Sequence, residues 1–231
     1  MTTSMTDHLD GATALARCAL PASLTGASTT DASSDMATAI SHCALADMSA
    51  LGRAGLRGRE AADWLGALGF TVPDTPNTAR LQTDGSWLVR LSVGEFLQLT
   101  PTITPDAGVA ELPLIAQADD ALAQGRRVHS LPRRDSHAWF SLSGTSVPTL
   151  MAKLCGVDLR SEAFPPGSVA QTSVARTNAI IVNVGSHQCP CFHLLFDIAS
   201  SHYQWGVMLD AMREYSGQTV TAAALLAHHH G

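Results

Sequence analysis

Apolar residues along this chain change period from stretch to stretch, and the elements those periods mark recur in the same order. From Asp47 to Leu56 the pattern suits a strand. Gly58 opens a helix in which Ala61, Trp64, Leu65 and Leu68 return at helical spacing until Gly69 stops it. Pro73 and Pro76 mark a turn, and Arg80–Leu91 reads as a hairpin because Thr83-Asp84-Gly85-Ser86 sets an Asp-Gly turn between alternating runs. Thr100–Pro113 carries several prolines and reads as a connector; Leu114–Gln124 is an amphipathic helix ending at Gly125. In the second half Thr145 caps a helix with Leu150, Met151 and Leu154, which stops at Gly156. Phe164-Pro165-Pro166-Gly167 is a rigid turn, and Ser173–Val184 and Cys191–Ile198 read as two long strands, the first carrying the apolar run Ala179-Ile180-Ile181-Val182. Ser201 with Gln204 has capping-box spacing and opens a helix whose Val207, Met208, Ala211, Met212 and Tyr215 face a core until Gly217. Val220–His230 reads as a last short helix.

The recurrence sets the expected architecture. Arg53–Leu65 is answered by Ala138–Met151, and Trp87–Leu91 ahead of Gly94–Leu97 by Phe192–Phe196 ahead of Ser200–Tyr203. The predicted class is α+β, with pseudo-duplicated strand–helix–strand–strand–helix half-modules and mainly antiparallel sheets. The half-modules span 45–125 and 135–217, and the C-terminal helix 219–230, in one domain over 39–231. Residues 1–38, rich in Ala, Ser and Thr, read as a flexible extension.

Composition narrows the classes. With 231 residues, 45% of them hydrophobic, and a mean hydropathy of +0.11, the chain can bury a substantial core. No apolar run approaches the ~20 residues of a membrane span, and no basic stretch followed by an apolar one opens the chain, so a cytoplasmic protein is expected. Five cysteines without framework spacing fit reduced thiols. A net charge of −6 and a pI near 5.9 argue against nucleic acid, since the one basic cluster, Arg126, Arg127, Arg133 and Arg134, is short.

Candidate chemistry is sparse. His187, Cys189, Cys191 and His193 alternate, and an extended strand would spread them over roughly 20 Å, too far for one metal ion. No metal site is expected there; His228, His229 and His230 have no upstream residue to complete one. Gly52, Gly55 and Gly58 are spaced by three, unlike a dinucleotide fingerprint, and read as close-packing glycines at a strand end. Lys153 is the only lysine, so no Walker motif exists. Ser146 and Ser186 have no evident base, and Asp119 with Asp120 or Glu60 with Asp63 read as solvated charge. No catalytic residue is nominated. Arg176, preceded by Gln171 and Thr172, is the best candidate for binding, either holding a carboxylate bidentately or making a structural ion pair.

Several segments together carry a family resemblance. Leu45-Ala46-Asp47-Met48-Ser49, Gly52-Arg53-Ala54-Gly55-Leu56-Arg57-Gly58, Leu150–Leu159 with its Cys155-Gly156-Val157-Asp158-Leu159, and Ala163-Phe164-Pro165-Pro166-Gly167 resemble the gamma subunit of heterotetrameric sarcosine oxidase, within the aminomethyltransferase-like, folate-binding fold. The resemblance runs from about Ile40 to Tyr215. It implies a non-catalytic chain partnered by alpha, beta and delta subunits, packed on the folate-binding region of alpha. FAD, FMN, NAD and tetrahydrofolate would then be carried by the complex and none by this chain alone. The complex would demethylate sarcosine oxidatively to glycine and pass the one-carbon unit to tetrahydrofolate.

Related stand-alone folate-binding proteins of iron–sulfur repair carry Lys-Gly-Cys-Tyr-x-Gly-Gln-Glu ahead of an Ala-Arg. Aligned on Ala175-Arg176, this chain keeps Gln171 but has Gly167 at the cysteine position. Aminomethyltransferases place an acidic pair where this chain reads Pro73-Asp74-Thr75-Pro76-Asn77. The alternative expectation is a stand-alone folate-binding protein of this fold, in which Arg176 or Arg90 holds the glutamate tail and Gln171 and Thr172 lie beside it.

Overall fold

A computed structural model describes residues 33–101 and 112–230. In chain order the elements are α1 (Ser33–His42), β1 (Ala44–Asp47), β2 (Arg53–Arg57), α2 (Ala61–Ala67), β3 (Thr78–Leu81), β4 (Trp87–Ser92), β5 (Glu95–Leu99), α3 (Pro113–Ala123), β6 (His129–Pro132), β7 (His137–Ser143), α4 (Val147–Met151), β8 (Val169–Val174), β9 (Thr177–Asn183), β10 (Cys191–Asp197), α5 (Ser201–Met212), β11 (Gln218–Thr219) and α6 (Ala222–His230). The class is α+β. One sheet has the order β3-β4-β5-β2-β6, the other β8-β9-β10-β7-β1-β11. Every adjacent pair is antiparallel except β1 with β11.

The two orders superimpose strand for strand. β2, β3, β4 and β5 take the places of β7, β8, β9 and β10, and β6 sits beside β2 as β1 sits beside β7. Each half is therefore strand–helix–strand–strand–strand–helix, one strand more than the sequence pattern predicts. In the first half the extra strand is β5, over the Gly94–Leu97 stretch that the sequence pairs with Ser200–Tyr203; in the second its source is the strand expected over Ser173–Val184. It is two strands, β8 and β9, folded back at Ala175 and Arg176, both with positive φ (45° and 67°). Two left-handed residues in a two-residue loop give the twist a hairpin needs, normally signalled by Asn-Gly. Ala-Arg carries no such signal, so the alternation read straight through it. Trp87–Leu91 consequently corresponds to β9, and Phe192–Phe196 to β5. Of the strand expected over Asp47–Leu56, Arg53 onward is β2; Asp47 closes β1 in the other sheet, and residues 48–52 cross between the sheets.

Alternation along the strands builds a four-layer packing. Phe140, Leu142, Phe192, Leu194 and Phe196 point to α4 and α5, where they meet Leu150, Met151, Trp205, Met208 and Met212. Leu56, Leu88 and Phe96 point the other way, to Trp64 and Leu65 of α2 and to Leu114, Ile115 and Ala118 of α3. Between the sheets lie Met48, Val89, Leu97, Leu99, Trp139, Val182 and Leu195, and Ile40 of α1 and Leu225 of α6 join that layer. The sheets also touch edge to edge, where Ala79 N–H bonds Gly167 C=O and Val169 N–H bonds Asn77 C=O.

Local differences have local causes. The Ser201–Gln204 capping box does not form. Gln204 is fully buried and gives its amide to Val174 C=O at 2.9 Å, while Asp197 accepts Ala199 N–H at 2.8 Å and caps the 3₁₀ turn before α5. Trp205, edge-on to Phe140 at 5.1 Å, takes the central place on α5, and Val207, Ala211 and Tyr215 are only half-buried. Thr145 does not cap α4, which is shorter than expected and leaves Leu154 beyond its end. The helix starting at Ser33 precedes the expected domain start; the rest of the extension, and most of the Thr100–Pro113 connector, lie outside the described residues.

Replacing Ala175 by Asn and Arg176 by Gly together should stabilise the protein by about 1 kcal/mol, since both residues tolerate positive φ better. Urea unfolding measures it, and a loss of stability would contradict the turn geometry. Phe140→Ala removes a fully buried ring that also packs edge-on Phe196 at 4.9 Å, and should cost about 3–5 kcal/mol in the same assay.

Candidate functional site

The chain passes between the sheets twice, at residues 48–52 from β1 to β2 and at residues 133–136 from β6 to β7. Arg53, 3% exposed at the start of β2, ties both passages together. Its Nη1 donates to Ser49 C=O (2.8 Å) and Leu51 C=O (3.0 Å) on the first; Nη2 donates to Arg134 C=O (2.7 Å) and Nε to His137 C=O (3.0 Å) on the second. Burial lowers the guanidinium pKa to about 10; Asp47 partly offsets this and Arg134 adds to it. It remains a cation at neutral pH, bonded to carbonyl oxygens.

A cleft of about 530 Å³ opens beside this knot, within the range of small-molecule sites. Leu51, Phe70, Leu112 and Leu114 give it apolar walls, and Arg53, Gln98, Thr100 and Arg133 its polar points. Arg133 is committed to Glu95 at 2.7 Å and approaches His137 Nε2 at 3.4 Å. Burial, then Arg133 and Arg53, push the His137 imidazole down to about 4, so the ring is neutral and Ser136 Oγ lies 2.8 Å from Nδ1. The glycine series is part of this packing: a Cβ on Gly52 would strike Thr100 and Leu112, one on Gly55 would lie 2.8 Å from Leu131 C=O, and one on Gly58 would strike Arg127 C=O.

The residues singled out from the sequence are not gathered in one pocket. Arg176 is exposed at the β8–β9 turn, and Thr172 is half-buried on β8. Gln171 bridges the sheets, its Nε2 donating to Asn77 Oδ1 (2.9 Å) and Leu91 C=O (2.7 Å). Arg90 lies over the Phe96 ring at 5.3 Å and donates to the carbonyls of Pro73, Asp74 and Val93 at 2.8–2.9 Å and of Ser92 at 3.3 Å. These bonds fasten the turns at both ends of the first half-module's hairpin.

A second, smaller space lies between the sheets, about 100 Å³, walled by Trp87, Leu99, Trp139, Leu225 and Leu226. Cys191, His193 and His229 line it. The expected His187–His193 strand is broken: Gly185–Pro190 turns, and only Cys191 onward is β10. Ser141 Oγ joins His193 Nδ1 (3.1 Å) and Cys191 Sγ (3.4 Å), and Ser143 Oγ meets His229 Nε2 at 3.0 Å. Burial pushes the Cys191 thiol up to about 12, so it stays protonated. Among the described residues no group of three His, Cys, Asp or Glu is placed to hold a metal ion.

Ser146 does have a histidine neighbour, His42, at 3.3 Å from Nδ1, with Nε2 donating to Tyr215 C=O at 3.1 Å. Thr145 and Ser146 N–H are bonded to the Ser41 and His42 carbonyls, so this surface triad fastens α1 and offers no oxyanion donors there. Sequence reasoning passed over Arg53, His137 and Trp139. The available signal was polar or amphipathic residues inside otherwise apolar strand stretches.

No protein-family model matches the sequence, and no curated protein matches it. Solved structures do share the fold. One chain of heterotetrameric sarcosine oxidase from Corynebacterium sp. U-96, in complex with pyrrole 2-carboxylate, is 20% identical with a TM-score of 0.64, covering 80% of this chain and 93% of that one. Glycine cleavage system aminomethyltransferase T from Bartonella henselae is 17% identical with a TM-score of 0.55, covering 83% of this chain and 51% of that one. The aminomethyltransferase-like α+β fold expected from the sequence is thus the observed one. Among the described residues no helix is long and apolar enough to cross a membrane.

Arg53→Lys should cost more than about 3 kcal/mol, because an ammonium cannot satisfy carbonyls from two passages and leaves buried acceptors unpaired; urea unfolding of purified protein checks it. His137 gives a pH signature. Its folded pKa of about 4 lies below the ordinary 6.5, so the unfolded chain binds a proton that the folded chain refuses. The stability held by the neutral ring is full above pH 6.5 and falls away as pH drops toward 4, by at most about 3 kcal/mol. Wild type should therefore lose more stability than His137→Asn between pH 7 and pH 4; equal losses would contradict this.

Proposed function

We propose that this chain is a non-catalytic, gamma-type subunit of a heterotetrameric enzyme that oxidatively demethylates sarcosine to glycine, with one-carbon transfer to tetrahydrofolate. The supporting observation is the asymmetry of the two fold matches. The chain spans 93% of a sarcosine oxidase chain, so its counterpart there is nearly whole, but only 51% of the aminomethyltransferase. In this reading alpha, beta and delta subunits carry FAD, FMN, NAD and tetrahydrofolate, and this chain packs on the folate-binding region of alpha in the cytoplasm. The four described cysteines are free, in keeping with a reducing compartment. The knot at Arg53 and the clamp at Arg90 then serve to keep a docking scaffold rigid, with chemistry left to the partners.

The aminomethyltransferase match supports a second reading, a stand-alone folate-binding protein. There the exposed Arg176 is the better holder of the glutamate carboxylates, since Arg90 already serves backbone carbonyls.

Deleting the gene in the native host tests the first reading: extracts should lose sarcosine-dependent peroxide formation and regain it when purified chain is added. Unchanged activity in the deletion strain would overturn it. Saturable tetrahydrofolate binding by the isolated chain, abolished by Arg176→Ala, would establish the second.

A further inference from the structure

The cleft beside Arg53 lies on the helix-covered side of the sheet that holds β2 and β5, and the proposed function leaves it without an occupant. On β5, Leu97 and Leu99 turn to the inter-sheet layer, while Gln98 turns with Phe96 to the side of α2 and α3 and lines the cleft. Gln98 is 7% exposed. Its Nε2 donates to Ser86 Oγ at 3.4 Å, and the Ser86 hydroxyl proton is already given to Asp84 Oδ1 at 2.7 Å, which fixes the orientation of the carboxamide. Gln98 Oε1 accepts no hydrogen bond among the described residues. It is also not one of the sealed, unpartnered side-chain atoms there, which are Asp47 Oδ2, Trp139 Nε1 and Gln204 Oε1. The cleft therefore reaches a carboxamide oxygen that has no donor of its own, and a bound molecule with an N–H or O–H would supply one.

Charge narrows the class. Arg53, Arg133 and Arg134 line the cleft against one carboxylate, Asp84, whose Oδ1 is turned to Ser86. Arg133 gives Nη2 to Glu95 at 2.7 Å and approaches His137 Nε2 with Nη1 at 3.4 Å, which leaves one proton on each Nη without an acceptor among the described residues. Its side chain is 21% exposed, so a solute reaches it. The N-terminus of α3, residues 112–115, forms part of the wall, with no capping side chain and no acid in its first turn. Arginine and helix N-terminus both favour an anionic group, and the walls of Leu51, Phe70 and Ile115 favour an apolar body beside it. The donor owed to Gln98 has to be uncharged, since an ammonium would sit among arginines. An amide N–H between an apolar chain and a carboxylate meets all three demands.

We propose that the cleft binds an N-acyl amino acid, with the amide N–H donated to Gln98 Oε1, the carboxylate held at Arg133 and the acyl chain laid on the Leu51, Phe70 and Ile115 walls. At about 530 Å³ the cleft has room for a ligand of that kind. Every group involved belongs to this chain, so the site stands or falls apart from the subunit and folate readings.

Isothermal titration calorimetry of the full-length chain with N-octanoylglycine tests it, and saturable binding is expected. Two analogues of the same shape separate the contacts: O-octanoylglycolate, with an ester oxygen in place of the N–H, and N-octanoylglycinamide, with the carboxylate made neutral. Each should bind at least about tenfold more weakly to wild type. In Gln98→Met the amide and the ester should bind alike while the carboxylate stays preferred over the carboxamide; in Arg133→Gln the carboxylate preference should be lost and the amide stay preferred over the ester. No saturable binding, an ester or carboxamide that binds wild type as tightly as N-octanoylglycine, an amide preference that survives Gln98→Met, or a carboxylate preference that survives Arg133→Gln would each overturn the proposal. The three-ligand comparison in wild type decides even if a variant fails to fold.

Discussion

A single buried cation holds the two halves of this fold in register. The backbone must leave one sheet and enter the other at two places, and both passages expose carbonyl oxygens in the interior, where no ladder can pair them. Arg53 answers both at once, with its fork of donors spread over Ser49, Leu51, Arg134 and His137. Only a planar, multiply donating group can do this, and placing it there brings the further constraints around it: Arg133 is drawn to Glu95, His137 is kept neutral, and Gly52 and Gly55 must stay without side chains. The 530 Å³ cleft beside it is the space left where these requirements meet.

Pseudo-symmetry explains where the other features lie. Because β3 and β8 occupy equivalent edges, they meet across the two sheets, and Gln171 of β8 reaches Leu91 of β4. The inter-sheet layer lies between equivalent inner faces, with α1 and α6 joining it. Trp139 and His193 sit on inner faces of neighbouring strands, an alternation set by period-two patterning, and His229 reaches the same small space from α6.

Much of this was legible in the sequence, for reasons tied to particular residues. Asp84-Gly85 announced the β3–β4 hairpin because that pair tolerates the turn geometry, and the spacing of Ala61, Trp64 and Leu65 announced α2. The equivalent β8–β9 hairpin was hidden because Ala175 and Arg176 adopt positive φ without the usual residue types, held there by strand pairing on either side. The candidate binding residues suffered from the same blindness. Arg90 looked available in sequence, yet its guanidinium goes to turn carbonyls, and which carbonyls lack a ladder partner is decided only by tertiary packing. Arg53 went unnoticed for the complementary reason: its role exists only once two distant crossings are brought together.

The best-bonded arginines of this chain, Arg53 and Arg90, serve backbone carbonyls. The chain's fold is shared with a chain of a multi-subunit sarcosine oxidase over nearly that chain's whole length, and the functional account rests on its being part of such an assembly. The most direct measurement is the native mass, with the visible absorbance spectrum, of the assembly recovered with this chain from its own cells. The account predicts a yellow flavin-bearing species several times heavier than 24.2 kDa. A colourless monomer would contradict it.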